Sequence, residues 1–164
     1  MLAGLRASLR ACAGDVVFGM EDGAVSIFGL VFGVAAITQD RRQVLVAGLT
    51  GAFAAAVSMM GGAYLEAETE RDGGIGGARP LERAGWMLAS DFIAAGLPII
   101  PFVVLPLAEA RWASLGLTVA LLGLLGAGRA RIGARRTVPT MLKTIAVGVA
   151  AALAGVFAGS LVAR

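Results

Sequence analysis

The sequence predicts an all-α, polytopic membrane protein with five transmembrane helices per protomer, and three observations support this prediction. Of its 164 residues, 58% are hydrophobic and only 15% are charged, whereas a soluble domain usually carries about 25% charged residues. The mean hydropathy is +0.84. The apolar residues form five runs, most of which reach the roughly 20 residues that a helix needs to cross a bilayer. One water-soluble core cannot bury so much apolar surface, so we expect lipid to solvate it.

The five apolar segments lie at approximately 16–38, 44–65, 86–107, 112–128 and 138–162. The fourth is the shortest, at the low edge of the range that spans a membrane. Only the linker at 66–85 is longer than a turn. Its acidic first part is predicted to continue the second helix beyond the bilayer until Gly73 and Gly74 end it. We therefore predict one transmembrane domain over residues 1–164.

The distribution of basic residues predicts the orientation of the helices. With a cytoplasmic N-terminus, ten of the 14 basic residues fall on the cytoplasmic side, which satisfies the positive-inside rule. These ten are Arg6, Arg10, Arg71, Arg79, Arg83, Arg129, Arg131, Arg135, Arg136 and Lys143. The remaining four are Arg41, Arg42, Arg111 and Arg164. We found no targeting segment, which favours a bacterial inner membrane.

The composition argues against several classes of function. The net charge of +3 and the pI near 10.0 arise from basic residues between apolar runs, which indicates membrane topology and not a nucleic-acid partner. The sequence has no histidine and one cysteine, Cys12, so it offers neither the usual general base nor a cysteine metal cluster. We predict neither an enzyme nor a resident cofactor.

The informative residues are the ionisable ones inside apolar runs, because a carboxylate there costs about 2.5–3.5 kcal/mol on insertion scales. The first segment carries Asp15, Glu21 and Asp22. Asp15 and Asp22 share one helix face, while Glu21 is offset toward a neighbouring helix or a second protomer. Met59 lies in the second segment and Asp91 near the start of the third.

Carboxylate oxygens and a methionine sulfur form a mixed set of hard and soft ligands. Such a set suits Fe²⁺ or Mn²⁺ better than Mg²⁺ or Ca²⁺, which prefer oxygen alone. Weak, exchangeable binding is what transport requires, since an ion must leave as readily as it enters.

Each of these residues also has a structural interpretation. Asp15 could be a helix N-cap or an arginine partner, and Asp91 could cap the third helix near the interface. Methionines such as Met59 often only fill apolar space. The acidic residues from Glu66 to Asp72 could be a solvated helix end. Pro98 and Pro101 are expected to kink or unwind the third helix, which would suit either a conduit or a structural bend.

The motifs of the first three helices resemble those of the vacuolar iron transporter family. Residues 15–26, DVVFGMEDGAVS, with GLVFGV at 29–34, are similar to the family's first helix. AAVSM at 55–59 with GAYL at 62–65 is similar to its second helix, and GLPIIP at 96–101 to its third. The resemblance covers all five helices in order, and the first two motifs are the specific ones.

The resemblance implies a homodimeric, proton-coupled exporter of Fe²⁺, and often Mn²⁺, from the cytoplasm. By position, Asp22 would be the central metal ligand, Met59 its soft partner and Asp15 a carboxylate on the cytoplasmic side of the path. Proton exchange at Asp15, Glu21 or Asp22 would couple metal movement to the proton gradient. The partners implied are the metal ion, protons, lipid and a second copy of the chain.

Three departures from the family pattern qualify this expectation. Glu21 replaces the usual Asn or Ser before Asp22, and Gly51 stands where a pathway glutamate is common. The cytoplasmic metal-binding domain that some members carry between helices 2 and 3 is replaced by the short linker. Metal capture would then depend on acidic residues such as Glu66 and Glu70, or on a partner protein.

Two other hypotheses remain open at this stage. The chain could be a non-transporting membrane subunit that assembles with a partner through its Gly-x-x-x-Gly motifs. It could also export a small organic cation, which would require aromatic walls around the path. The sequence offers few aromatic residues for such walls, at 6% of the chain.

Overall fold

A computed structural model describes residues 2–74 and 77–162, and every regular element in those ranges is an α-helix. The helices are α1 Leu2–Ala11, α2 Ala13–Ile37, α3 Arg41–Asp72, α4 Pro80–Val104, α5 Leu107–Ile132 and α6 Thr137–Val162. Helices α2 to α6 are each long and apolar enough to cross a membrane. The predicted fold class is confirmed, and Arg164 of the predicted charge pattern lies outside the described residues.

Local signals set the helix ends. Asp40 caps α3 by accepting a hydrogen bond from the Arg42 backbone N–H at 2.8 Å. Gly73 ends α3, as the sequence predicts, and Pro80 occupies the first turn of α4. Pro106 stands immediately before α5.

Several predicted boundaries are wrong by one or two turns. The third apolar segment was predicted to begin at residue 86, but α4 begins at Pro80. The fourth was predicted at 112–128 and is a full-length helix of 26 residues. In both cases charged residues flank the apolar run, and they continue the helix beyond it. The amphipathic helix α1 was not predicted, because its ten residues lack an apolar run.

The helices run alternately up and down, so the bundle has two ends. The N-terminus of α2 lies with Arg83 of α4 at one end, the Arg83 end. At the opposite end, the Arg111 end, the Arg111 guanidinium donates to the carbonyl oxygens of Ala35 and Thr38 where α2 finishes. These bonds satisfy carbonyls that the helix itself leaves free.

Helix α2 is the centre of the bundle and packs against α3, α4, α5 and α6. Its inner residues Ile27 and Val31 join a buried cluster with Val44, Ile99 and Phe102. Helices α3 and α6 are the least enclosed, and both present large apolar side chains outward. The bundle therefore surrounds the helix that carries three of the candidate residues.

Glycines allow the backbones of the central helices to touch. A Cβ on Gly23 would overlap the Asp91 carbonyl of α4, and one on Gly155 would overlap the Gly29 carbonyl of α2. A Cβ on Gly33 would in turn meet the Gly155 backbone. The Gly-x-x-x-Gly motifs thus make contacts within one chain, by the close approach that small residues permit.

The two prolines of α4 do not unwind it. The helix continues to Val104 through Pro98 and Pro101, both of which are buried. The Ser114 hydroxyl of α5 donates to the Pro98 carbonyl oxygen at 2.8 Å. Helix α5 thus adds a hydrogen bond to the α4 backbone at the first of the two prolines.

Candidate functional site

The carboxylates of α2 lie at the Arg83 end, where each has a different environment. Asp15 points toward α4 and receives hydrogen bonds from Arg83 Nε at 3.1 Å and from Nη2 at 2.9 Å. The same guanidinium donates to Glu70 at 2.7 Å and to Glu66 at 3.1 Å, both on α3. One arginine of α4 therefore joins three carboxylates from two other helices.

This group, which we call the Arg83 cluster, is more enclosed on one side than on the other. The side chains of Arg83 and Asp15 are 13% and 15% exposed, whereas those of Glu66 and Glu70 are 63% and 38% exposed. The interpretation of Asp15 as an arginine partner is confirmed. With three carboxylates around one cation, the cluster retains a net negative charge, and its two glutamates face the surface.

Replacing Arg83 with glutamine is expected to destabilise the fold and to increase divalent metal binding at this end. Without the guanidinium, three carboxylates repel each other in a partly enclosed site, and we expect a loss on the order of 3 kcal/mol in the free energy of unfolding. Added Mn²⁺ should recover part of that loss, because it binds the freed carboxylates in the native state only. Thermal unfolding with and without Mn²⁺ measures both effects.

Arg79→Gln is the matched control, since Arg79 is exposed immediately before α4 and makes no salt bridge within the described residues. This substitution should change neither the free energy of unfolding nor the stabilisation by Mn²⁺. Equal effects of the two substitutions would show that the Arg83 cluster neither stabilises the fold nor holds its carboxylates away from metal.

Glu21 is buried and points toward α5, as its offset on the helix predicts. Its Oε2 accepts from the Arg129 guanidinium, and its Oε1 is buried with no hydrogen-bond partner in the part of the chain that the structure describes. The Glu21 side chain is 11% exposed and that of Arg129 is 52% exposed. The pair thus lies at the edge of the bundle, with its carboxylate facing inward.

Asp22 lies on the wall of an open cleft of about 530 Å³, where α6 diverges from α2. The cleft, called the Asp22 cleft below, is bounded by α2, the end of α5, the α5–α6 turn and the first half of α6. Its lining residues are Phe18, Glu21, Asp22, Val25, Arg129, Arg135, Arg136, Pro139, Thr140, Lys143, Thr144 and Val147. Asp22 is half-buried, and no hydrogen bond to its carboxylate occurs within the described residues.

Asp91 is the most deeply buried carboxylate in the described chain. It is 0% exposed, and neither of its carboxylate oxygens has a hydrogen-bond partner within residues 2–74 and 77–162. Its backbone lies against Gly23, the residue after Asp22. The interpretation of Asp91 as an interfacial helix cap is therefore wrong, because α4 begins at Pro80, about three turns earlier.

Met59 lies level with Asp22 but on a different helix. Gly48 and Gly51 of α3 face Val31 and Leu30 of α2, and the antiparallel register continued from these contacts brings Met59 to the depth of Asp22. Met59 is half-buried and is not among the residues that line the Asp22 cleft. The described residues also contain no group of three or more His, Cys, Asp or Glu side chains placed to hold a metal ion.

Comparison with known proteins identifies the family. The sequence matches the VIT family over residues 13–75 and 72–160, which together cover α2 to α6 almost completely. The chain belongs to the VIT family. The resemblance to vacuolar iron transporters is confirmed, and the protein is a multi-pass membrane protein of a metal-ion transporter family.

Two relatives of this VIT-family chain align with different fractions of its length. An uncharacterized protein of Methanocaldococcus jannaschii is 25% identical over 160 residues, covering 84% of this chain and 83% of its own length. Vacuolar iron transporter homolog 2 of Oryza sativa subsp. japonica is 37% identical over 71 residues, which is 38% of each chain. The two family matches overlap at residues 72–75, beginning at the last residue of α3. The resemblance places the extra domain of some VIT members between α3 and α4.

Arg83 and Arg129 are the functional-site residues that the sequence did not reveal. Both were counted only as charges that set the topology. Their partners lie 68 and 108 residues away along the chain. A carboxylate inside an apolar run predicts a nearby cationic partner, although it does not identify which basic residue that partner is.

Proposed function

We propose that this VIT-family protein is a homodimer that exports Fe²⁺, Mn²⁺ or both from the cytoplasm in exchange for protons. The observation that supports this most strongly is Asp22, a half-buried carboxylate that lies on the wall of an open cleft and has no hydrogen-bond partner among the described residues. An intramembrane ionisable residue is costly and usually marks an ion or substrate path. Asp15 and Glu21 are already paired with arginines, which leaves Asp22 available to a cation.

The ligand set favours a dimer. Within one chain, Asp22 offers a carboxylate and Met59 a thioether at the same depth, and the described residues bring no group of three or more His, Cys, Asp or Glu side chains together to hold a metal ion. A twofold-related copy would contribute the same pair again, because a symmetric interface presents identical residues from both subunits. Two carboxylates and two sulfurs form a set that suits Fe²⁺ or Mn²⁺.

The Arg83 cluster is the proposed entry point on the cytoplasmic side. Glu66 and Glu70 are its exposed members, so an arriving divalent cation meets them first and competes with Arg83 for their oxygens. When the cation displaces the Arg83 guanidinium from these glutamates, the guanidinium keeps its salt bridge to Asp15, its most enclosed partner. This arrangement gives weak capture and easy release, as transport requires.

Proton coupling would follow from competition at the same carboxylates. A proton and a divalent cation cannot both occupy the binding oxygens of Asp22. An acidic solution on the far side of the membrane therefore favours release of the metal ion, and the metal-free site then returns to the cytoplasmic side with Asp22 protonated. Asp15 and Glu21 would take part when their arginine partners move away. The sign of this coupling predicts faster export into an acidic compartment.

The two other hypotheses lose support from the structure. Assembly of a non-transporting subunit was argued from the Gly-x-x-x-Gly motifs, but Gly23, Gly29, Gly33 and Gly155 all make contacts within one chain. An organic-cation path requires aromatic walls, and among the described residues Phe18 is the only aromatic one that lines the Asp22 cleft.

Uptake of Fe²⁺ into proteoliposomes tests the proposal. With an internal metal-quenched fluorophore, the purified protein should accumulate Fe²⁺ faster when the lumen is acidic, and a protonophore should remove that advantage. Empty liposomes and protein with no pH gradient are the controls. Uptake no faster than in empty liposomes would contradict the proposed function, and uptake that ignores the pH gradient would contradict its proton coupling.

A further inference from the structure

The charge of the Asp22 cleft is unexpected for a cation path. Four basic side chains line it, against the two carboxylates of α2. Arg129 is paired with Glu21, whereas Arg135, Arg136 and Lys143 form no salt bridge within the described residues. Three cations without carboxylate partners therefore surround the entrance to a site at which we expect a divalent cation.

The α5–α6 turn holds two of these cations at the edge of the cleft. Its backbone is fixed by hydrogen bonds from the Gly133 N–H to the Arg129 carbonyl at 2.9 Å and from the Arg135 N–H to the Ala130 carbonyl at 2.8 Å. Ala134 between them has a φ of 48°, a left-handed conformation that is unfavourable for a residue other than glycine. The turn thus has a defined conformation despite local strain, and such strain is often found at binding sites.

The rest of the cleft is apolar and open at the surface of the single chain. Phe18, Val25, Pro139 and Val147 form its walls, and Phe18 and Val147 are 50% and 58% exposed. Lys143 lies one and a half turns inside α6, a helix that crosses the membrane. The cleft thus combines a basic rim near the end of the helices with an apolar wall that continues along them.

We propose that the Asp22 cleft binds an anionic phospholipid, with its phosphate at Arg135, Arg136 and Lys143 and one acyl chain along Phe18 and Val147. Basic pockets between transmembrane helices are suited to anionic headgroups. A soluble anion would use only the basic rim, whereas a phospholipid also covers the exposed apolar wall. The bound phosphate would offset the positive charge of the rim, which otherwise opposes the approach of a divalent cation to Asp22.

Lipid retention measured by native mass spectrometry tests this inference without any transport assay. The purified protein is exchanged into micelles that contain phosphatidylglycerol, phosphatidylcholine or an equal mixture. We expect retained phosphatidylglycerol and little phosphatidylcholine. The variant Arg135→Gln/Arg136→Gln/Lys143→Gln should retain phosphatidylglycerol on the order of 100-fold more weakly, as expected for three basic contacts.

The matched control is Arg41→Gln/Arg42→Gln/Arg131→Gln, which removes the same charge from exposed positions outside the cleft. It should retain phosphatidylglycerol as the wild type does. A second variant, Val147→Trp, fills the apolar wall and leaves every cation in place, and it should also weaken retention. Circular dichroism and gel filtration show whether each variant is folded.

Three results would overturn the proposal. Equal retention of both lipids would show that the cleft does not select the net negative charge of the headgroup. Equal losses in the cleft and control variants would show only a general charge effect. Displacement of the lipid by millimolar inorganic phosphate would show that the basic rim acts alone. If the cleft variant instead lost its dimer with unchanged lipid retention, a second copy of the chain would be the occupant.

Discussion

Asp22→Asn is expected to reduce Fe²⁺ uptake into proteoliposomes by about 100-fold or more while the protein remains folded. The amide keeps the size of the side chain but removes the negative charge, and its nitrogen cannot ligate a metal ion. Loss of groups that only support metal ligands typically reduces metal affinity or activity about 10–100-fold, so loss of a ligand should reduce transport at least as much. Because the Asp22 carboxylate makes no hydrogen bond within the described chain, stability should be unchanged or higher.

Asp40→Asn is the control for this substitution. It makes the same chemical change at the opposite end of α2, where Asp40 caps α3, and asparagine is an equally good N-cap. Transport by this variant should match that of the wild type. If the Asp22→Asn variant took up Fe²⁺ as fast as the wild type, Asp22 would not be a metal ligand. Equal losses of uptake in both variants would indicate a general effect of charge.

Gly155→Ala is expected to destabilise the bundle by about 1–3 kcal/mol, the usual range for overpacking. The new methyl group would overlap the Gly29 backbone of α2, which has no side-chain freedom with which to give way. Helices α2 and α6 must then separate, and the Asp22 cleft between them changes shape. Thermal unfolding in detergent, followed by circular dichroism, measures the loss.

Gly116→Ala separates this crowding from the general effect of replacing a glycine. Gly116 is an exposed position of α5, and a Cβ there would meet nothing within 4 Å. Alanine has a higher helix propensity than glycine, so the unfolding temperature of the Gly116→Ala variant should equal or slightly exceed that of the wild type. If both variants lost stability equally, the close α2–α6 contact would not be what holds these helices together.

The five spans could be predicted because a bilayer requires long apolar runs, and such runs are visible in the sequence. The helix ends were less predictable, since an apolar run marks the part of a helix that lies in lipid and not the whole helix. Helix α4 begins at Pro80, ahead of Arg83, and α5 begins at Leu107, ahead of Arg111. These polar turns lie beyond the apolar core, where charged residues are compatible with helix.

The order of the carboxylates along α2 could be predicted, but their partners could not. Position along α2 is enough to place Asp15 near a membrane surface and Asp22 deeper. The pairing of Asp15 with Arg83 and of Glu21 with Arg129 depends on which helices are neighbours and on their register. Neither property is visible in the hydrophobic pattern of single segments.

The misplacement of Asp91 has the same origin as the misplaced helix start. With the helix starting near residue 86, Asp91 falls in its second turn and resembles an interfacial residue. With the start at Pro80 it becomes an interior residue of α4, packed against Gly23 with 0% exposure. An error of under two turns in a boundary thus changed the predicted environment of a carboxylate completely.

The central claim is that a divalent transition metal binds at Asp22, inside the membrane-spanning part of the bundle. Anomalous diffraction from crystals grown with Mn²⁺ tests it most directly, because the ion is located without reference to transport. We predict an anomalous peak within ligand distance, about 2–2.5 Å, of an Asp22 carboxylate oxygen, and its loss in Asp22→Asn crystals. Anomalous density confined to Glu66 and Glu70, or unchanged by the substitution, would contradict the claim.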